Sequence, residues 1–308
     1  MTSSNRTYDP IEPRSVAFLG LGVMGYPMAA HLARAGHRIC VYNRSAAKAE
    51  QWVAEHGHTS AATPREAAHD VDNVFACVGN DDDLRAVVLG EDLGGGTRGA
   101  AGAFAGMKPG AVFVDHTTAS AAVARELSAA AIERGLQFID APVSGGNLGA
   151  INGALTVMCG GDAAAFASIK PVALAFAKAV TRLGDSGAGQ LAKMVNQVAI
   201  AGLLQGLAEA IAFGRKAGLD MNAVLDVIGK GAAQSWQMDN RGPTMLADKF
   251  DFGFAVDWMR KDLGLVLDEA KRNGARMPVT ALVDQFYADI QAQGGNRLDT
   301  SSLLLRLT

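Results

Sequence analysis

Residues 15–36 read SVAFLGLGVMGYPMAAHLARAG, and this stretch decides the fold. A short apolar run, Ser15–Leu19, breaks at Gly20-Leu21-Gly22-Val23-Met24-Gly25. Helix-compatible sequence follows from Gly25 to Ala35, and a second apolar run, Arg38–Tyr42, comes next. GxGxxG alone is a weak signal. Between a strand and a helix it predicts a dinucleotide-binding turn. The three glycines then serve a tight turn, a close backbone approach to pyrophosphate, and close helix–strand contact. The helix N-terminus would face the phosphates with its N–H groups and its positive dipole end.

Working outward, strand candidates recur at Asn73–Val78, Ala111–Asp115, Gln137–Asp140, Leu155–Cys159 and Ala179–Leu183. Helix candidates lie between them at Ala46–His56, Thr63–His69, Asp81–Val88, Ala119–Glu133 and Ala163–Phe176. This alternation predicts an α/β domain with a doubly wound, mostly parallel sheet. The glycine-rich segment Leu89–Phe104 reads as a surface loop with room for a short helix. From Gly189 to Ala217 the chain is almost continuously helix-compatible, a helix of roughly 40 Å, with Gly218 as its stop. Being apolar on most faces, it is expected to be buried between packed elements. Met221–Lys230, Val256–Asn273 and Val279–Gln293 are helical and no strand follows them. The expected organisation is a mobile tail over 1–14, a nucleotide-binding domain over 15–186, and a long interdomain helix with an all-α domain over 187–308.

Composition narrows the function classes. The 308 residues carry 28 basic and 31 acidic side chains, a net charge of −3, so no basic excess favours nucleic acid as a partner. Glycine is abundant at 36 residues against 9 prolines, which points to close backbone packing rather than linkers. Cys40, Cys77 and Cys159 are widely spaced in apolar runs and read as free thiols in a reducing compartment, with no metal-ligand pattern. No 18-residue apolar run without charges occurs and the first residues lack the apolar core of a signal peptide, so the expectation is a cytoplasmic protein without a membrane partner.

Three polar clusters stand out. The end of the second strand carries Asn43-Arg44-Ser45, where a fold selecting NAD places an acid for the ribose hydroxyls. An arginine there can pair with a 2′-phosphate, and no acid in that loop repels it, so NADP is expected over NAD. Ser144-Gly145-Gly146, in DAPVSGG, offers a hydroxyl and backbone N–H groups suited to a carboxylate. Lys193, Asn196 and Gln197 share one face of the long helix at i, i+3, i+4. Polar groups there are expensive to bury without a purpose. Lys261-Asp262, within DWMRKDLGLVLDEA, reads by itself as a solvated helix face.

Together these runs resemble the β-hydroxyacid dehydrogenase family, which includes 3-hydroxyisobutyrate dehydrogenase. FLGLGVMGYPMAAHL is similar to its cofactor fingerprint, DAPVSGGNLGAINGALTVMCGGD to its substrate-binding segment, GAGQLAKMVNQ to its catalytic segment and KDLGLVLDEA to its C-terminal lysine motif. The resemblance covers the chain from Ser15 onward. It implies a Rossmann-type domain, a long interdomain helix and an all-α domain, associating as a homodimer or homotetramer. It implies Lys193 as catalytic general acid/base, Asn196 as an orienting residue, and Ser144, Gly145 and Gly146 as the loop for a small carboxylate substrate. It places Gly20–Gly25, Asn43, Arg44, Val78, Gly79 and Thr118 on the cofactor and has Lys261 reach cofactor or substrate. A lysine ordinarily keeps its proton to about pH 10, so a basic role near neutrality requires burial or a neighbouring charge to lower that value. Imine-reducing relatives usually replace this lysine, and so do relatives used as binding scaffolds. Retained Lys193 therefore favours alcohol or aldehyde chemistry over an imine reductase or a non-catalytic NADPH-binding protein.

Overall fold

The computed structural model describes residues 6–90 and 101–307, so most of the glycine-rich loop lies outside the described residues. The chain forms two compact units, Met1–Lys193 and Met194–Thr308.

Among its described residues the first unit has nine strands: β1 (Ser15–Leu19), β2 (Arg38–Tyr42), β3 (Thr59–Ser60), β4 (Asn73–Ala76), β5 (Val112–Asp115), β6 (Gln137–Asp140), β7 (Val143–Ser144), β8 (Leu155–Gly161) and β9 (Ala177–Gly184). Their order is β3-β2-β1-β4-β5-β6-β8-β7, with β9 also on β8. The first six run parallel in the doubly wound order that reverses between β1 and β4. β8 then pairs antiparallel with both β6 and β7. Helices α1 (Gly25–Arg34), α2 (Ala46–His56), α3 (Pro64–Ala67), α4 (Asp81–Leu89), α5 (Ala121–Ile132), α6 (Gly146–Ile151) and α7 (Ala163–Ala173) flank the sheet.

Alternation along β1 divides the core. Val16 and Phe18 pack with Met28, Leu32, Trp52 and Ile169 of α1, α2 and α7. Ala17 and Leu19 pack with Leu84, Val88, Val123 and Leu127 of α4 and α5. Successive side chains of a strand point to opposite faces, so a strand covered on both sides must be apolar throughout. That is why β1, β4 and β5 read as continuous apolar runs.

Residues 6–14 form no helix or strand, yet they are not the mobile tail expected. Arg6 donates to the carbonyls of Gly153, Leu174 and Ala177, and the Tyr8 hydroxyl lies 2.8 Å from His31 Nδ1. Tyr8 and Ile11 pack on the sheet's core. Their partners are carbonyls and side chains far along the chain, which local composition does not reveal.

Helix α8 (Ala188–Lys216) begins in the first unit and continues into the second, where α9 (Met221–Ile228), α10 (Trp236–Leu246), α11 (Val256–Asn273) and α12 (Pro278–Ala292) follow. No strand occurs among the described residues of this unit. Ala201, Leu204, Leu207, Ala208 and Ile211 of α8 form its core with Met245, Met259, Leu263 and Tyr287. By length and composition alone α8 is apolar enough to cross a membrane; its core residues here are packed inside a protein unit. One side of α8 is not buried: Val195, Leu203 and Phe213 are exposed. Asp299, buried, accepts from Phe254 and Ser301 and pairs with Arg241 at 3.1 Å, tying the C-terminal turn to the helices.

In the first unit, Asp140 and Asp115 are buried carboxylates at the ends of β6 and β5. Asp140 Oδ1 accepts the Gly187 N–H at 2.7 Å and Oδ2 the Gln190 N–H at 2.9 Å. The Gln190 amide donates to the Thr117 carbonyl at 2.8 Å and accepts from Ala119 N–H at 3.0 Å. Burial pushes Asp115 up to about 7, with the Asp140 charge adding to it. Burial likewise pushes Asp140 up to about 6 against its hydrogen bonds. A carboxyl whose folded pKa is raised adds stability below its unfolded pKa, lost as pH rises through the folded value. Asp115→Asn should therefore gain Tm relative to the parent at pH 8, by about 2–4 °C per kcal/mol removed, with the difference shrinking toward pH 5. A Tm difference that does not vary between those pH values in thermal melts would show that Asp115 does not titrate with folding.

Candidate functional site

Where the strand order reverses, the β1–α1 turn meets the turn after β4. The three glycines of the first turn do three different things. Gly20 has φ +95°, and a Cβ there would overlap the Cys77 carbonyl. A Cβ on Gly25 would overlap the Gly20 carbonyl and crowd the Phe18 ring. A Cβ on Gly22 would meet no atom within 4 Å, and Gly22 does not have a positive φ. Gly20 and Gly25 are thus required by the protein's own packing, whereas the space over Gly22 is open. A diphosphate brought against the backbone fits that arrangement. The α1 N-terminus has no acid in its first turn and no side-chain cap, whereas α4 and α5 are capped by Asn80 and Ser120. Leu21 is buried while Val23 is exposed and Met24 half-buried.

Asn43 has a structural task. Its Oδ1 accepts the Leu21 N–H at 2.9 Å and its Nδ2 donates to the Ser45 carbonyl at 3.1 Å, pinning the end of β2 to the glycine turn. Arg44 projects beyond it, largely exposed. The expectation that no acid meets this arginine holds for its loop but not for the fold: Asp83 of α4 lies 3.2 Å from its Nη1. The two residues are 39 positions apart and only the crossover between β4 and β5 brings them together.

Val78 and Thr117 are joined by a hydrogen bond from the Val78 N–H to Thr117 Oγ1, 3.0 Å. Gly79 and Thr118, half-buried, follow them in the same two turns. The second turn is held to α8 by Gln190, three residues before Lys193 and so on the same helix face. Asp140 holds that helix start, and four residues later Ser144 in β7 pairs with Thr156 of β8. Gly145 and Gly146 have φ +128° and +61° and open α6. Lys193 is buried, 7% exposed. His116 is also buried, its Nδ1 donating to the Ala141 carbonyl at 2.6 Å, and burial pushes it down to about 4, so it is a neutral packing residue.

In the second unit, Asn196 Nδ2 donates to Gln197 Oε1 at 2.8 Å, and Gln197 Nε2 donates to Asp262 Oδ2 at 2.7 Å. Lys261 Nζ lies 3.1 Å from Asp262 Oδ1 and 5.8 Å from the Trp258 ring centre. Lys261-Asp262 is therefore not a solvated face. Asp262 is buried and links lysine and amides in one chain. Sequence reasoning gave no role to Gln190, Asp115, Asp83 or Asp262. A polar side chain one helical turn from Lys193 was the available signal for Gln190. Nothing local marks the others.

The glycine geometry separates folding from binding. Gly25→Ala should lower stability by about 1–3 kcal/mol, the usual overpacking cost. Gly22→Ala should keep the parent Tm and weaken dinucleotide binding about tenfold or more, since the added methyl occupies the approach to the backbone. Unchanged dinucleotide affinity in Gly22→Ala, measured by fluorescence titration, would remove this turn from the site.

Comparison with known proteins agrees with this geometry. Residues 15–184 match the family model described as the NAD binding domain of 6-phosphogluconate dehydrogenase. Residues 187–307 match that described as NAD-binding of NADP-dependent 3-hydroxyisobutyrate dehydrogenase. The chain is 60% identical to an uncharacterized oxidoreductase of Shewanella frigidimarina, over 95% of this chain and 97% of the relative. It is 40% identical to the "probable 3-hydroxyisobutyrate dehydrogenase-like 1, mitochondrial" of Arabidopsis thaliana, over 100% and 90%. The solved Mycobacterium tuberculosis 3-hydroxyisobutyrate dehydrogenase with L-serine superposes with a TM-score of 0.85 at 31% identity, covering 96% of this chain and 99% of that one. With matching sequence and fold, the chain belongs to the β-hydroxyacid dehydrogenase family and is an NAD(P)-dependent oxidoreductase acting on CH–OH groups.

Proposed function

We propose that this enzyme moves a hydride between NADP(H), in preference to NAD(H), and a small β-hydroxy acid or its semialdehyde, with Lys193 as general acid/base. The observation that carries the reading is a lysine only 7% exposed, one turn beyond Gln190, whose amide fixes the 117–119 turn. A buried lysine needs a purpose, because taking its charge out of water is costly. L-Serine, with which the mycobacterial relative was solved, is itself a β-hydroxy carboxylic acid.

The nicotinamide, when bound, accepts or supplies the hydride. The chain's own residues do the rest. The turn at Gly20–Gly25 and the N-terminus of α1 bind the diphosphate, with Val78, Gly79 and Thr118 in the neighbouring turns. Arg44 faces the 2′-phosphate. Ser144, Gly145 and Gly146 receive the substrate carboxylate through a hydroxyl and backbone N–H groups. Asn196, three residues after Lys193 on α8, orients the hydroxyl-bearing carbon. Lys193 Nζ takes the hydroxyl proton in oxidation and returns it to the developing alkoxide in reduction. The Lys261 side chain supplies positive charge from α11, balanced in its own unit by Asp262.

The exposed residues of α8 suit a second copy of the chain. Val195, Ala199, Leu203, Ala210 and Phe213 lie along one side of the helix, and Gly206 among them leaves room for close approach. Phe213→Glu should convert an oligomer to a monomer in light scattering; a monomeric parent at micromolar concentration removes this part of the proposal.

Lys193→Ala should fold, retain NADPH affinity and lose about 10²–10⁴ in kcat, the usual contribution of acid–base catalysis. Lys193→Arg should not restore it, since a guanidinium does not release its proton near neutrality. A panel of 3-hydroxyisobutyrate, serine, glycerate and 4-hydroxybutyrate with both cofactors reads the substrate. A Lys193→Ala enzyme within a few-fold of the parent rate would assign the proton to another group.

A further inference from the structure

Arg44 does not stand alone at the end of β2. Its side chain is 81% exposed, and the Asp83 carboxylate that meets it at 3.2 Å is 26% exposed. Asp83 is held in place. It sits in the first turn of α4, and its own N–H is bonded to Asn80 Oδ1 at 2.8 Å. The three consecutive acids of that turn have separate partners. Asp81 accepts the Ser120 N–H at 2.8 Å, Asp82 pairs with Arg85 at 3.3 Å, and Asp83 is the one turned to Arg44.

An exposed ion pair adds little stability and opens easily. A phosphate arriving at the Arg44 guanidinium must share it with Asp83 or displace that carboxylate, which then stands near as a like charge. A ribose hydroxyl meets neither obstacle. We propose that Asp83 is a specificity-determining residue that weakens the grip of Arg44 on a 2′-phosphate and brings the affinities for NADPH and NADH closer together. The inference rests on the reading that Arg44 faces the 2′-phosphate.

The test is fluorescence titration of NADPH and NADH into the parent, Asp83→Asn, Asp83→Ser, Arg44→Ala and the Arg44→Ala/Asp83→Asn double variant, each checked by thermal melt. Both neutral variants at position 83 should tighten NADPH roughly three- to fivefold, the upper end of one exposed charge interaction, and leave NADH within about twofold. Most of that gain should disappear in the Arg44→Ala background. An NADPH-to-NADH ratio unchanged or lowered in Asp83→Asn and Asp83→Ser overturns the role of Asp83. If Arg44→Ala still lowers the ratio in that case, the assignment of Arg44 stands. A ratio untouched by Arg44→Ala overturns that assignment and this inference with it.

Discussion

The Asp140 carboxylate holds the functional half of this protein together. It closes β6, is buried, and takes the N–H groups of Gly187 and Gln190 at the start of α8. Helix starts have unpaired N–H groups, and here a carboxylate from a sheet strand satisfies them. Glycines make the approach feasible. A Cβ on Gly160 or on Gly189 would overlap this same carboxylate. The helix that bears Lys193 is thus docked on the sheet by a charge-assisted contact that tolerates almost no side-chain bulk around it.

Burial gives that contact its tension. The Asp140 and Asp115 carboxyls are pushed upward by loss of water, and each is pulled back by N–H donors. Leaving a buried carboxylate unpaired would be far more costly than any single contact here. The Gln190 amide joins the two regions, with one end on Thr117 and Ala119 and its backbone N–H on Asp140. The turn that carries Thr117 and Thr118 and the helix that carries Lys193 are consequently fixed by one residue.

At the nucleotide end the constraint is steric rather than electrostatic. Gly20 and Gly25 lack side chains because the Cys77 carbonyl of the neighbouring turn and the Gly20 carbonyl of the same turn leave no room. Gly22 lacks one although the space is open. A motif written as three equal glycines therefore combines two packing requirements with one approach surface. Asn43 shows the same division of labour: its amide orders the turn, and the adjacent Arg44 is left to face outward.

Sequence by itself determined the parallel sheet, the long helix and the placement of the nucleotide turn. These rest on periodicity, apolar runs and glycine spacing, which are local quantities and survive into the structure. The motif resemblance likewise named the family that the comparisons establish. Tertiary structure decided what depends on distant partners. The short strands β3 and β7 and the six-residue α6 exist because neighbours complete them. α10 forms across Gly242-Pro243 because Ser235 caps it and Met238 and Met245 are buried in the helical core. Arg6 anchors a segment that reads as a loose tail, through carbonyls near 153, 174 and 177. Asp262 is buried although its helix reads as solvated, because Gln197 and Lys261 meet its two oxygens. Asp83 reaches Arg44 only through the crossover that lays α4 beside the end of β2. Charges and amides act over a few ångströms of space, and the fold alone decides which of them come that close.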